Sequence, residues 1–166
     1  MLKHVFWMIL ISALPLIELR GAMPYGVFVA KMEWWAVFLL CFVPNVIAGM
    51  LAYELMAPVF FVLRKWAWFE RRIWPFFERK QDKLKPYVEK YGELGVAVFI
   101  GVPLPGTGAY TGAVGSYLLG LKRRKFYLAN FIGVLCAGIA VMCICVALQK
   151  GVIAPDSWIQ RLFIKK

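Results

Sequence analysis

Two apolar stretches of the sequence are interrupted in the middle by proline and glycine, the residues that most strongly disfavour a regular helix. The first interruption reads ALPLIELRGAMPYG (residues 13–26), and the second reads IGVPLPGTGAYTGAVG (residues 100–115). A long hydrophobic run follows each of them. Unwound backbone at membrane depth survives only where it is buried in protein or faces a water-filled cavity. A matching pair of such segments in two half-chains therefore points to a transport site.

The composition places the chain among membrane proteins. Its 166 residues are 62% hydrophobic and 17% charged, whereas soluble domains average about 45–50% apolar and about 25% charged residues. The net charge of +11 does not indicate nucleic-acid binding, because the basic residues are interleaved with Trp and Phe beside the apolar runs. That pattern is typical of a surface facing anionic lipid head groups, so membrane lipids are the expected partners. The four cysteines lack metal-ligand spacing, and the sequence predicts neither a metal site nor a cofactor.

Residues 34–63 are a long apolar run with one charge, Glu54, and residues 126–149 are a clean apolar run. Because a membrane core is ~30 Å thick and a helix rises about 1.5 Å per residue, both runs predict transmembrane helices. An amide and small residues recur at i, i+3 and i+7 in each run: Asn45, Ala48 and Ala52 in the first, and Asn130, Gly133 and Ala137 in the second. Such faces let membrane helices approach closely and hydrogen-bond. They either only pack the helices or also contribute to a polar site.

The sequence divides into two repeats within one membrane domain, residues 1–166. The first repeat covers residues 5–63 and the second covers residues 93–150. Between them, residues 64–92 carry aromatic residues at helical spacing among Lys and Arg, which predicts an amphipathic basic linker in the membrane interface. Residues 156–166 form a short amphipathic tail.

The interrupted segments either cross the membrane or re-enter it. If both crossed, the KRRK stretch at residues 122–125 would lie opposite the basic linker, against the tendency of short basic loops to stay in the cytoplasm. Re-entry keeps both on the cytoplasmic face. The sequence therefore predicts an all-α integral membrane protein with two inverted repeats, each a re-entrant helical hairpin plus one transmembrane helix. The two hairpin tips are expected to meet near the midplane.

Glu18 and Arg20 are the charged residues of the first interruption. Each would cost ~2.5–3.5 kcal/mol at the centre of a membrane helix. Residues two apart do not face each other on a helix, whereas in an unwound tip, which Gly21 and Pro24 would permit, they could pair. Either they form a structural ion pair, or Arg20 holds an anionic group while Glu18 modulates it or carries a proton. Glu54 either faces the cavity or reaches the head groups.

The second interruption contains no charged residue. A half-helix that begins near Gly108 would direct its N-terminal dipole toward the midplane, which suits an anion such as phosphate or carboxylate. Alternatively, Gly108 and Gly112 only pack helices. The predicted substrate-binding residues are Glu18, Arg20, Gly21, Asn45, Glu54, Pro103, Pro105, Gly106, Thr107, Gly108, Tyr110, Thr111 and Asn130.

ELRGAMP at residues 18–24 and PLPGTGAYTGA at residues 103–113 resemble the small multidrug export protein family of prokaryotic membrane proteins. That family is distantly similar to the DedA family, whose members have paired re-entrant hairpins and are implicated in moving phospholipids or undecaprenyl phosphate between leaflets. The resemblance implies a multi-pass protein of the prokaryotic inner membrane, and the distribution of Lys and Arg predicts that residues 64–92 lie in the cytoplasm. Glu18 matches the acidic residue of the DedA-like first hairpin. In the DedA family, arginines are expected in the second hairpin. This chain departs from that pattern, because no Lys or Arg occurs between Lys90 and Lys122.

Three functions are compatible with these residues. The first is a small secondary transporter or lipid flippase for an amphipathic anionic substrate, such as a polyprenyl phosphate or a phospholipid, with H⁺ or Na⁺ as the candidate coupling ion. The second is an exporter of cationic drugs that uses Glu18 or Glu54 with aromatic side chains. The third is a non-transporting membrane assembly factor. The sequence contains neither an HExxH motif nor a GxSxG motif, so neither of these motifs points to an enzyme. One copy would hardly shield two tips from lipid, so we expect a homodimer or larger oligomer.

Overall fold

The computed structural model describes residues 2–15, 17–66, 71, 90–102 and 107–150. Its first helices are α1 (Leu2–Ser12), α2 (Glu18–Pro24), a π-helical turn (Tyr25–Val29) and α3 (Trp34–Arg64). They are followed by α4 (residues 90–101), α5 (Ala109–Leu118) and α6 (Arg123–Gln149). No strand occurs in these ranges. Most of the predicted linker and the whole predicted tail, residues 156–166, lie outside the described residues.

Helices α3 and α6 are the two described helices that are long and apolar enough to cross a membrane. Their 31 and 27 residues correspond to about 46 and 40 Å of helix, more than the ~30 Å hydrocarbon core. The two apolar runs that the sequence predicted as helices are thereby confirmed as helices. The six residues of the predicted amide-and-small faces are all buried, as expected of faces that pack.

Packing divides the chain into two compact units. The first consists of Met1–Asn45 and Leu135–Lys166, and the second of Val46–Val134. Each unit therefore contains one of the interrupted segments together with a part of α3 and a part of α6.

In the first unit, α1 packs against α2 and the π-helical turn, so the first interrupted segment folds back on itself. Nδ1 of His4 lies 2.9 Å from the hydroxyl oxygen of Tyr25. A Cβ placed on Gly26 would lie 2.6 Å from Sδ of Met8. The beginning and the end of this segment therefore lie at the same end of the unit.

The reversal does not lie where the sequence predicted it. Gly21 and Pro24 belong to the helix Glu18–Pro24 instead of an unwound tip, and the chain turns between α1 and α2. Pro24 has no N–H to donate within the helix. The wider π-helical turn follows directly, with the N–H of Ala30 donating to the carbonyl of Tyr25 at 3.0 Å. This change of helical register accommodates the proline without a break.

In the second unit, α4 and α5 are the two arms of the second interrupted segment. A Cβ on Gly112 of α5 would lie 2.7 Å from Cδ1 of Ile100, and one on Gly133 of α6 would lie 2.7 Å from Cβ of the same isoleucine. Both arms and α6 therefore pack closely around Ile100. Oε1 of Glu93 lies 3.0 Å from Nζ of Lys125, which places the start of α4 beside the start of α6. This segment also begins and ends at one end of its unit.

Candidate functional site

A buried amide of α6 lies next to the start of α5 in the second unit. Asn130 is fully buried and donates from Nδ2 to the carbonyl oxygen of Val46 at 3.1 Å. Its Oδ1 atom has no hydrogen-bond partner among the described residues. A Cβ on Gly49 would lie 2.6 Å from this oxygen and 2.9 Å from Cβ of Ala109. Glycine at position 49 thus lets the amide and the first residue of α5 both contact α3.

Helix α5 begins where the sequence predicted a half-helix. Gly108 is its N-cap, and the Gly108 N–H donates to Oγ1 of Thr111 at 2.9 Å, while that hydroxyl donates to the Gly108 carbonyl at 3.2 Å. Amides of a first helical turn carry partial positive charge, and Asn130 adds an unused acceptor nearby. This combination suits a ligand group that both donates and accepts hydrogen bonds, such as a hydroxyl or a protonated phosphate.

Of the other residues predicted in the second interruption, Thr107 and Thr111 have backbone partners, and three lie outside the described ranges. Oγ1 of Thr107 donates to the carbonyl of Val102 at 2.7 Å and so bridges the interruption. With Thr111 capping α5, both threonine hydroxyls bond to the backbone of this segment. Tyr110 is half-buried on α5. Pro103, Pro105 and Gly106 lie outside the described residues.

The first unit has a similar buried amide. Asn45 of α3 is fully buried and donates from Nδ2 to the carbonyl of Ser12 at 2.9 Å, and its Oδ1 lacks a partner within the described part of the chain. Ser12, the last residue of α1, donates from Oγ to the carbonyl of Cys41 at 2.6 Å. Two side chains therefore bond the end of α1, directly before the first interruption, to α3. Ser12 was missed by the sequence analysis, although a lone hydroxyl directly before an interruption was the available signal.

Glu18 and Arg20 lie at the beginning of α2 in the first unit. Glu18 is 6% exposed and has a φ of 53°. This left-handed conformation costs a non-glycine residue of order 1–3 kcal/mol and is concentrated at functional sites. Arg20 is half-buried and interacts electrostatically with Glu18. The two charges therefore interact although α2 is helical. Gly21 is packed against Ile17, which a Cβ at position 21 would meet.

Glu54 lies on the exposed surface of the second unit. Its Oε1 accepts a hydrogen bond from the Tyr127 hydroxyl and lies 3.6 Å from Nη1 of Arg123. The preceding residue, Tyr53, donates to the carbonyl of Leu121. These contacts place Glu54 beside the KRRK stretch at the start of α6. Both interpretations that the sequence left open for Glu54, the cavity and the level of the head groups, stay predictions.

A protein-family model matches most of the chain. The model of the small multi-drug export protein family covers residues 18–140, a range that begins at Glu18 and includes Arg20 and both buried asparagines. No curated protein and no solved structure matches the chain. The more distant similarity to the DedA family stays a prediction.

Proposed function

Because the chain belongs to the small multi-drug export protein family, we propose that it is a small secondary transporter that moves an amphipathic, anionic substrate across the membrane. Two helices able to span a bilayer fit an all-α membrane protein, as the family requires. The proposed substrate class is a polyprenyl-phosphate or phospholipid-like molecule, which combines an apolar chain with a phosphate.

The buried amide beside each interrupted segment is the observation that carries this proposal. Asn45 and Asn130 are both fully buried, and neither Oδ1 finds a partner within the described residues. A stranded buried polar atom costs about 1–3 kcal/mol, and polar residues within membrane segments commonly mark substrate or ion pathways. We infer that each amide accepts a hydrogen bond from a passing substrate group or from a water that accompanies it.

The charges of the described residues support an anionic substrate over a cationic one. An exporter of cationic drugs would need an available carboxylate. Glu18 interacts with Arg20, and Glu54 lies 3.6 Å from Arg123, so both candidate acids are accompanied by an arginine. The N-terminus of α5 adds partial positive charge next to Asn130.

The packing of both segments supports the re-entrant, inverted-repeat architecture that we propose for the membrane. In each unit the interrupted segment begins and ends at the same end, as the contacts His4–Tyr25 and Glu93–Lys125 indicate. The arms α1 and α5 have 11 and 10 residues, or about 15–17 Å of helix, roughly half of the ~30 Å core. Arms of this length reach the middle of a bilayer and return.

Re-entry makes a direct prediction about topology. With the native cysteines replaced, single cysteines at Lys122 and Arg71 are both expected to react with a membrane-impermeant maleimide in inside-out vesicles and to stay unlabelled in intact cells. Re-entry keeps the ends of the second segment on one face, and short basic loops stay cytoplasmic. A cysteine at Lys3 serves as the reference for the other face. Labelling of positions 122 and 71 from opposite sides would contradict re-entry.

Transport itself is tested in proteoliposomes with fluorescent phosphatidylglycerol as the anionic probe and ethidium as the cationic probe. We expect the wild type to move the lipid, and Arg20→Ala to lower its initial rate by about tenfold or more, equivalent to about 1.4 kcal/mol of lost stabilisation. Arg20→Lys should retain part of the rate because it keeps a positive charge. Glu33→Gln, which removes an exposed carboxylate, is the matched control for Glu18→Gln.

The remaining outcomes separate the alternatives. Ethidium transport that is lost in Glu18→Gln and kept in Arg20→Ala would support the exporter of cationic drugs. A wild type that moves neither probe, although it is folded and correctly inserted, would support the non-transporting assembly factor.

A further inference from the structure

An apolar groove runs between α4 and α5 in the second unit. Its volume is ≈ 330 Å³, within the range of about 300–1,000 Å³ of small-molecule sites. Gly95 and Phe99 of α4 lie on one side of it, Gly115 and Ser116 of α5 on the other, and Leu121 at one end. The groove is separate from the contacts of Asn130 described above.

Two of the glycines that line the groove, Gly95 and Gly115, do not serve close helix packing. A Cβ added to Gly95 or to Gly115 would find nothing within 4 Å. On the same helices, Gly112 packs against Ile100 at 2.7 Å, which is the ordinary use of glycine between membrane helices. Glycine inside a helix is unfavourable relative to alanine, so glycines that pack against nothing keep a space open.

A buried hydroxyl borders this space. Ser116 is 1% exposed, and its Oγ has no hydrogen-bond partner among the described residues. It lines the groove less than two helical turns before Leu121. Because buried polar groups in native proteins are nearly always satisfied, this hydroxyl is suited to bond to a molecule in the groove.

Positively charged residues follow in the sequence where the groove ends. Leu121 borders it, and the KRRK stretch, residues 122–125, comes next. Lys125 and Arg123 are each paired with a glutamate. Lys122 and Arg124 are exposed and have no ion pair with any described residue. Two positive charges are therefore available at this end to an anionic ligand.

We propose that this groove binds one acyl chain of an anionic phospholipid. The chain fills the space beside Gly95 and Gly115, the Ser116 hydroxyl donates to the ester carbonyl, and Lys122 and Arg124 hold the phosphate. The ester of a phospholipid lies between its acyl chain and its phosphate, and in the sequence Ser116 lies between Gly115 and the KRRK stretch. The site would bind lipid whether or not the protein transports any, so its failure and that of the proposed transport are distinguishable.

Charge favours a lipid over a second copy of the chain as the occupant. A lipid phosphate neutralises Lys122 and Arg124, whereas a second copy packed symmetrically on this groove would bring its own Lys122 and Arg124 to the same surface. Juxtaposed like charges disfavour association.

The test is photo-crosslinking in phosphatidylcholine vesicles that contain phosphatidylglycerol with a diazirine in one acyl chain. Mass spectrometry then locates the crosslinks. We expect them to be concentrated on residues 95–99 and 111–116, and Gly115→Leu to lower their yield by about tenfold, as for a loss of 1.4 kcal/mol in affinity. Gly95→Leu is the second filling variant. Ala57→Leu, which adds one carbon less at an exposed position of α3, is the control and should leave the yield unchanged.

The polar contacts are tested separately. Ser116→Ala should lower the crosslinking of ester-linked phosphatidylglycerol several-fold and leave that of the ether-linked analogue, which has no carbonyl, unaltered. The double variant Lys122→Gln, Arg124→Gln should abolish the preference for phosphatidylglycerol over a phosphatidylcholine probe. An equal effect of Ser116→Ala on both linkages would overturn the role assigned to the hydroxyl.

Three results would overturn the groove itself. The first is crosslinking spread evenly over the exposed helices. The second is a change in oligomeric mass in Gly115→Leu with unchanged lipid crosslinking, which would assign the groove to a second copy. The third is loss of the fold in both filling variants, which would show that protein already occupies the space.

Discussion

Replacing Gly133 with alanine is expected to destabilise the protein by about 1–3 kcal/mol or more, the cost of overpacking a filled core. The added Cβ would lie 2.8 Å from the carbonyl oxygen of Ala97 and 2.7 Å from Cβ of Ile100. Neither atom can rotate away, so α4 would have to move as a whole relative to α6. In mild detergent we expect a melting temperature lower by about 2–4 °C for each kcal/mol, together with a smaller monodisperse fraction on gel filtration.

The matched control for this substitution is Gly115→Ala. It makes the same chemical change in the same unit, but its Cβ meets nothing within 4 Å. Because alanine is a better helix former than glycine by up to about 1 kcal/mol, this variant should melt at the wild-type temperature or slightly above it. Equal destabilisation by the two variants would refute the close approach of α4 and α6 at Gly133.

The second large effect is on transport. Asn130→Leu is expected to reduce the rate with fluorescent phosphatidylglycerol by about tenfold or more while the protein stays folded. The substitution removes one hydrogen bond, to the Val46 carbonyl, worth about 1 kcal/mol net, and it also removes a stranded acceptor that costs about 1–3 kcal/mol. Leucine has nearly the shape of asparagine, so the stability of the fold should change little or rise.

Initial rates and melting temperatures are measured on the same preparations. Tyr127→Phe removes another polar group of α6, the hydroxyl that donates to Glu54 on the exposed surface, and should change the rate by less than about twofold, as expected for an exposed contact. Asn45→Leu applies the same test to the first unit. Wild-type transport by a folded Asn130→Leu protein would show that this amide only packs helices, the alternative that the sequence left open.

The elements that depend on nearby residues were predictable from the sequence. The apolar runs of α3 and α6 follow from their length and composition, and the start of α5 at Gly108 follows from the glycines and prolines before it. The first reversal was predicted in the wrong place. Proline and glycine occur throughout residues 13–26. Local propensity does not indicate which of these residues lie inside a helix once α1 packs against α2.

Partners that lie far apart in the chain were not predictable. Glu54 contacts Tyr127 and Arg123, which lie 73 and 69 residues later in the sequence (127 minus 54 and 123 minus 54). Asn45 donates to the carbonyl of Ser12, which lies 33 residues earlier (45 minus 12). Nothing in the local pattern around Glu54 distinguishes a carboxylate at the surface from one in a cavity. Its surroundings are set by residues of another helix.

By itself, the sequence determined two interrupted segments and the two helices of the described residues that are able to span a membrane, because hydrophobic length and backbone propensity are local properties. Only the tertiary structure decided what each small residue does. Ile100 occupies the space beside Gly112 and Gly133, whereas the space beside Gly95 and Gly115 is open. The four glycines are chemically identical, and their roles differ because close packing depends on the atoms that the rest of the fold brings to within a few ångströms of each one.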